Sequence, residues 1–145
     1  ALQKYAVRCG GGVNHRMSRS DAALVKDNHV VAAGGVAQAF TAVRERFPGL
    51  PVEVEVDSLE QLAEVLAAGA DLVLLDNFTP DQMREAVQLN AGRALLEASG
   101  GLTLANAAEV ADTGVDYVAV GALTHSVKAL DIGADLQEVA HAADD

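Results

Sequence analysis

The chain has 145 residues, half of them hydrophobic, with 10 Lys and Arg against 21 Asp and Glu and a formal net charge of −11. Such an acidic balance repels nucleic acid and anionic membranes, and no apolar run approaches the roughly 18 residues of a membrane span. A single cysteine, Cys9, excludes an internal disulfide, and nothing at the start reads as a signal peptide, so a reduced, cytoplasmic setting is expected.

The first motif along the chain is Gly10-Gly11-Gly12-Val13-Asn14-His15-Arg16, a loop that delivers an imidazole and a guanidinium to one place. Arg recognises carboxylates by a planar fork and His adds a second donor, which makes His15 and Arg16 candidates for holding an anion. As isolated residues they would more often be surface side chains. Cys9, just before them, reads as a small core residue because no thiolate-activating arrangement surrounds it.

AALVKDNH then runs an apolar strand directly into Lys26-Asp27-Asn28-His29. Val36, Phe40, Val43 and Phe47 recur at helical spacing, and Pro48-Gly49 ends that helix. In VEVEVD, Val52, Val54 and Val56 alternate with Glu53, Glu55 and Asp57, so one face of this strand is acidic. Ser58 with Gln61 is a capping box for a helix carrying Leu62, Val65 and Leu66, stopped by Gly69. LVLLDNF is a third strand, ending at Asp76. Thr79-Pro80-Asp81-Gln82 repeats the capping signal, with Met83 and Val87 facing inward. ALLEASGG ends at Ser99-Gly100-Gly101, and Thr103 is expected to cap a helix bearing Leu104, Ala107, Val110 and Ala111 that stops at Gly114. YVAVGALTH closes the series at Gly121, with Thr124 and His125 following; His141 lies in an Ala- and Asp-rich tail and reads as solvated. Each strand reads as nearly all apolar, as expected when both faces of a parallel sheet are buried.

The strand stops at Lys26, Glu55, Asp76, Ser99 and Gly121 are separated by 29, 21, 23 and 22 residues, the length of a strand, a helix and two turns. GADLVLLDNFT (69–79) and GVDYVAVGALT (114–124) align without a gap, which fits two βα units per echo. This is the rhythm of a parallel α/β barrel with its functional groups at one end. A closed eight-stranded barrel typically needs about 250 residues. The 145 residues, with no internal linker, are therefore expected to form one incomplete, TIM-like α/β barrel of parallel strands with outer helices, or part of a longer protein, whose open strand edges need cover.

Two groups of residues carry chemistry. Glu55 and Asp76, at strand ends, share a mouth with Lys26; alone each carboxylate would be an ion-pair partner or a helix cap. Together they can hold hydrated magnesium (Mg2+) when phosphates supply the remaining oxygens, or stabilise a cationic sugar transition state. Ser99-Gly100-Gly101 and Gly121 to His125 read as a phosphate cradle, because glycine lets backbone N–H groups approach an anion and the last loops of α/β barrels are its usual position. Two alternatives stay open on these residues: a barrel aldolase or lyase using Lys26 as a Schiff-base nucleophile, and a non-catalytic phosphate-binding fragment.

GGGVNHR, ALVKDNHV, VEVEVDSLEQ, LLDNFTP, LEASGG and TGVDYVAVGALTHSVKALDI, in this order, resemble quinolinate phosphoribosyltransferase, the decarboxylating nicotinate-nucleotide pyrophosphorylase of NAD synthesis. The resemblance covers nearly the whole chain. It implies a type II phosphoribosyltransferase in which residues 1–145 form the C-terminal catalytic barrel. The partner domain, an N-terminal α/β sandwich, is missing here, as is an Arg-Lys-Thr segment expected shortly before Ala1. The implied reaction joins quinolinate to phosphoribosyl pyrophosphate, giving nicotinate mononucleotide, pyrophosphate and carbon dioxide, in a homodimer or higher homo-oligomer. By position, the resemblance implies that His15 and Arg16 bind the quinolinate carboxylates and that Lys26 sits between the two substrates. Glu55 and Asp76 then engage magnesium and the ribose hydroxyls, and Ser99, Gly100, Gly101, Gly121 and His125 hold the 5′-phosphate. Without its front part, this stretch alone is expected to be nearly inactive.

Overall fold

The computed structural model describes residues 2–14, 22–126 and 129–134. Five parallel strands, β1 (Ala23–Val25), β2 (Val52–Val56), β3 (Leu72–Asp76), β4 (Leu95–Ser99) and β5 (Tyr117–Val118), form one sheet in the order β1-β2-β3-β4-β5. Between them run α2 (Asp27–Ala33) and α3 (Val36–Arg46), α4 (Leu59–Ala67), α5 (Pro80–Asn90) and α6 (Ala107–Ala111); α1 (Leu2–Cys9) precedes the sheet and α7 (Ala122–His125) follows it.

The strand order never reverses, and with right-handed crossovers that keeps every connecting helix on one side; a doubly wound sheet would reverse and place helices on both faces. Accordingly α3, α4, α5 and α6 pack against one another in turn. This is a barrel wall rather than a flat Rossmann layer, with β1 and β5 as its edges. An apolar groove of about 780 Å³ runs beside the β1 edge, between that strand and α3. No described helix is long and apolar enough to cross a membrane.

The two faces of the sheet differ in chemistry. Val52, Val54, Val56, Val73, Leu75, Leu96 and Ala98 belong to the core shared with the helices, where Phe40, Leu62, Val65, Met83 and Val110 meet them. By the period of two, the opposite, inner face carries Glu53, Glu55, Leu74, Asp76, Glu97 and Ser99. Burial of both faces is as expected for parallel strands, yet the inner one is not apolar: Glu53 and Glu97 are only 2% and 8% exposed. They line a cavity of about 500 Å³ together with Lys4 and Val7 from α1 and Tyr117 from β5.

Several helices begin as the sequence predicts. Thr79 caps α5, accepting from the Gln82 N–H at 3.3 Å while the Gln82 side chain takes the Thr79 N–H at 2.9 Å. Ser58 caps α4, but the reciprocal half is shifted: Gln61 Oε1 accepts from the Asp57 N–H at 3.1 Å rather than from Ser58. Arg44 ties α3 to the next unit, donating to the Gly69 carbonyl at 2.9 Å with its guanidinium 5.6 Å from the Phe40 ring centre.

Other expectations need correction. Thr103 does not cap a helix: Asn106 Oδ1 accepts from the Thr103 N–H and hydroxyl at 2.7 and 3.1 Å, a side-chain turn that competes with helix, and α6 starts only at Ala107. Leu104 is consequently 81% exposed, and Ala111 also faces out. Phe47 lies just beyond the end of α3 and is 54% exposed. Cys9 is exposed rather than core, because α1 buries none of its residues. The short helices α1 and α2 were not expected at all; α2 is closed by Gly34 in the left-handed region, at φ 80°.

The core and the misread turn make opposite predictions for the same change. Leu62→Ala should destabilise by about 2–5 kcal/mol, as for a fully buried leucine, whereas Leu104→Ala should stay within about 0.5 kcal/mol. Urea denaturation of the two variants checks this; comparable losses would contradict the placement of Leu104.

Candidate active site

The carboxyl ends of parallel strands leave polar groups free of the ladder, and the register decides which of them meet. Val25 pairs with Val54, so the next residues, Lys26 and Glu55, stand side by side. Lys26 Nζ reaches Glu55 Oε2 at 2.5 Å, with the lysine side chain about half exposed at 49% and the glutamate at 16%. A partly exposed pair of this kind contributes on the order of 1 kcal/mol or less, so stability alone does not account for it. Lys26 is thus engaged as a cation in an open position, unlike the desolvated amine of a Schiff-base nucleophile.

The main chain at Lys26 is also fixed. Its N–H donates to His29 Nδ1 at 2.9 Å and its carbonyl accepts from the His29 N–H at 2.8 Å. His29 therefore caps the first turn of α2, and its Nδ1 carries no proton in this arrangement.

Asp76 closes β3 directly opposite Ser99, which closes β4. Asn77 bridges the two strand ends. Its amide Nδ2 donates to Asp76 Oδ2 at 2.9 Å, and its backbone N–H donates to the Ser99 carbonyl at 2.9 Å, one step past the ladder. Gly100 and Gly101 then turn through positive φ, 89° and 61°, a path that favours glycine. The turn after them is held by Asn106, whose Nδ2 donates to the Gly101 carbonyl at 3.3 Å. The glycine loop is therefore shaped by its own turns and by Asn106, not set at a helix start as the sequence suggested.

β5 continues beside β4 through the Ala119 N–H, which donates to the Ala98 carbonyl at 2.9 Å, and brings Gly121 to the same end of the sheet. Gly121 has φ −58°, an ordinary helical value, so its glycine is not required by the local backbone. Lys26, Glu55, Asp76, Ser99, Gly100, Gly101 and Gly121 thus lie at one end of the sheet. His15 and Arg16 lie outside the described residues, as does the side chain of His125 at the end of α7.

The cavity beside Glu53 and Glu97 is lined by α1 and the loop after it, by the inner face of the sheet and by the segment that follows β5; of the candidates among the described residues it touches only Gly121. Among the described residues no group of three or more His, Cys, Asp or Glu could hold a metal by itself. What the sheet end offers is one ammonium, two carboxylates and a glycine loop rich in backbone donors, a set suited to an anionic, phosphorylated sugar. Two contributors escaped sequence reading, Asn77 and Asn106, while His29 was marked only as part of the polar run after β1. The available signal was an Asn directly after a strand-end Asp, since Asn is among the few residues that tolerate the left-handed region.

Comparisons with known proteins agree with this fold. The family model described as quinolinate phosphoribosyl transferase, C-terminal domain, matches residues 1–135. A protein of Mycobacterium leprae named nicotinate-nucleotide pyrophosphorylase [carboxylating] is 63% identical over 139 residues, covering 94% of this chain and 49% of that protein. One of Bacillus subtilis, named as a probable enzyme of the same kind, is 45% identical over 136 residues, covering 93% and 47%. The solved nicotinate-nucleotide pyrophosphorylase of Francisella tularensis superposes with a TM-score of 0.84 at 46% identity, covering 88% of this chain and 45% of that one. The chain spans about half the length of the curated relatives it matches. It belongs to the quinolinate phosphoribosyl transferase family, in the part that the family's C-terminal, TIM-like barrel domain describes.

Proposed function

We propose that the protein containing this chain transfers the phosphoribosyl group of phosphoribosyl pyrophosphate to quinolinate with loss of carbon dioxide, yielding nicotinate mononucleotide and pyrophosphate. The observation that carries this is the convergence of Lys26, Glu55, Asp76 and the Ser99-Gly100-Gly101 loop at one sheet end, in a chain 63% identical to a protein named for this chemistry.

In the transfer, the quinolinate ring nitrogen bonds to C1 of the ribose as the bond from C1 to the pyrophosphate oxygen breaks. Positive charge builds on the sugar, and the Asp76 and Glu55 carboxylates stabilise it electrostatically. Lys26, next to Glu55, offsets the anionic charge of the two substrates where they meet. The backbone N–H groups of Ser99, Gly100, Gly101 and Gly121, with His125, bind the 5′-phosphate, while His15 and Arg16 bind the acid's carboxylates. After the glycosidic bond forms, the bond from ring carbon to one carboxylate breaks; its electron pair is accepted by the cationic pyridinium, carbon dioxide leaves and a proton replaces it.

The donor set also suits magnesium. Two strand-end carboxylates supply hard oxygen ligands, too few to enclose the ion, which matches a cation that draws its other ligands from phosphate and water. Glu55 and Asp76 would hold it, and when bound it would neutralise the departing pyrophosphate. A homodimer or higher homo-oligomer in the cytoplasm completes the proposal; support comes from the open β1 edge, from exposed Leu2, Tyr5, Leu130 and Ile132, and from the single cysteine.

The complete enzyme, given quinolinate, phosphoribosyl pyrophosphate and magnesium with nicotinic acid as competitor, should form nicotinate mononucleotide and carbon dioxide from quinolinate; turnover of nicotinic acid alone would overturn the specificity. In that enzyme Glu55→Ala and Asp76→Ala should each lower turnover by roughly 10²-fold or more. Full activity in both would refute their role. Lys26→Met should lose about as much turnover while changing stability by about 1 kcal/mol or less; a urea midpoint that falls in step with activity would make Lys26 structural instead. Arg16→Ala should raise the Michaelis constant for quinolinate and leave that for phosphoribosyl pyrophosphate nearly unchanged, and the reverse pattern would reassign the pocket.

A further inference from the structure

Among the described residues, only Asn77 and Ala91 are non-glycine residues at positive φ, 57° and 46°. Ala91 is accounted for by its position, the residue that closes α5 and leads into Gly92. Asn77 stands instead at a strand end, between two groups already placed at the candidate site. Left-handed backbone costs a non-glycine residue of order 1–3 kcal/mol and persists where the surroundings enforce it. Asn tolerates that region better than most residues, and what it offers there beyond glycine is its side chain.

That side chain has two distinct neighbours. Its amide Nδ2 donates to Asp76 Oδ2 at 2.9 Å. Its carbonyl end occupies the space that a side chain on Gly100 would need: a Cβ built there would lie 2.2 Å from Asn77 Oδ1, 2.7 Å from its Cγ and 2.9 Å from its backbone nitrogen. No real Cβ tolerates such distances. The Asn77 N–H, held by the Ser99 carbonyl at 2.9 Å, fixes the residue against β4. Gly101, the next glycine, has open space where its Cβ would go, so the close approach is specific to Gly100.

We propose that Asn77 is a positioning residue: it orients the Asp76 carboxylate for phosphoribosyl transfer and holds it against the Ser99-Gly100-Gly101 loop, its side chain filling the space beside Gly100 that the positive φ there already reserves for glycine. The carboxylate and the phosphate loop then form one rigid unit rather than two neighbouring sites. This role rests on the transferase function proposed above, with Asp76 acting on the sugar.

A double-mutant cycle in the complete enzyme tests it. Asn77→Gly keeps the backbone conformation accessible and removes only the amide. It should lower kcat by about tenfold, the scale for removing a group that orients a ligating side chain, with the Michaelis constant for quinolinate unchanged and a melting temperature near that of the parent. In an Asp76→Ala background the same substitution should change kcat less than about twofold, because the group it positions is gone. Equal losses in both backgrounds would overturn the proposal and leave Asn77 as a turn residue. Should Asn77→Gly fold poorly, Asn77→Asp keeps the shape, replaces the donor with an anion facing Asp76 and should lose at least as much kcat; retained kcat in that variant would also overturn it. If Asp76→Ala alone were fully active, the proposed role of Asp76 would fail first, and the positioning role with it.

Discussion

Parallel register is the constraint from which the rest follows. Because Val25 pairs with Val54 and Asp76 pairs with Ser99, four residues distant in sequence are brought into two adjacent pairs at one sheet end. The ladder supplies this without help from the side chains themselves. A slip of one residue in either pairing would turn the affected side chains to the opposite face and bury a charge among Val54, Val73 and Leu75. The apolar outer face therefore enforces the polar inner arrangement. Packing of α3 to α6 against that face is what keeps Lys26 beside Glu55.

Within this frame the elements differ in how firmly they are specified. β2, β3 and β4 lie centrally, each paired on both sides. β1 and β5 are short edges of three and two residues. The site is built across this gradient, with Asp76 and Ser99 on the firmest strands and Lys26 on an edge. His29 holds the main chain of Lys26 through the α2 cap, which compensates for the limited pairing of β1.

Most of the fold was legible because strands and caps are local signals. Apolar runs that end in a polar residue located all five strands, and Thr79 with Gln82 located the start of α5. The misses have a common cause. Leu104, Ala107 and Ala111 recur at helical spacing, but Asn106 diverts the chain before α6 into a turn, and side-chain competition of that kind leaves no periodic trace. The alternation in β2 marked Glu53 as part of an acidic face but not its burial, which comes from closure of the inner face and takes in Glu97 as well. At the site, Lys26, Glu55, Asp76 and Ser99 were legible as strand-end residues. Their pairing was not, since it depends on a register that no stretch of sequence encodes alone. Asn77 was marked only by its place after Asp76, because its importance lies in a backbone angle and a close approach to Gly100, 23 positions away in sequence.

The central claim is that one sheet end holds the phosphorylated sugar between paired carboxylates and a glycine loop. A crystal structure of the complete enzyme with quinolinate and a non-reactive carbocyclic analogue of phosphoribosyl pyrophosphate tests it most directly. The account predicts the 5′-phosphate on the backbone N–H groups of Gly100 and Gly101, the ribose ring over Glu55 and Asp76, and the acid's carboxylates at His15 and Arg16. A phosphate bound instead in the cavity beside Glu53 and Glu97, with the strand ends bare, would contradict it.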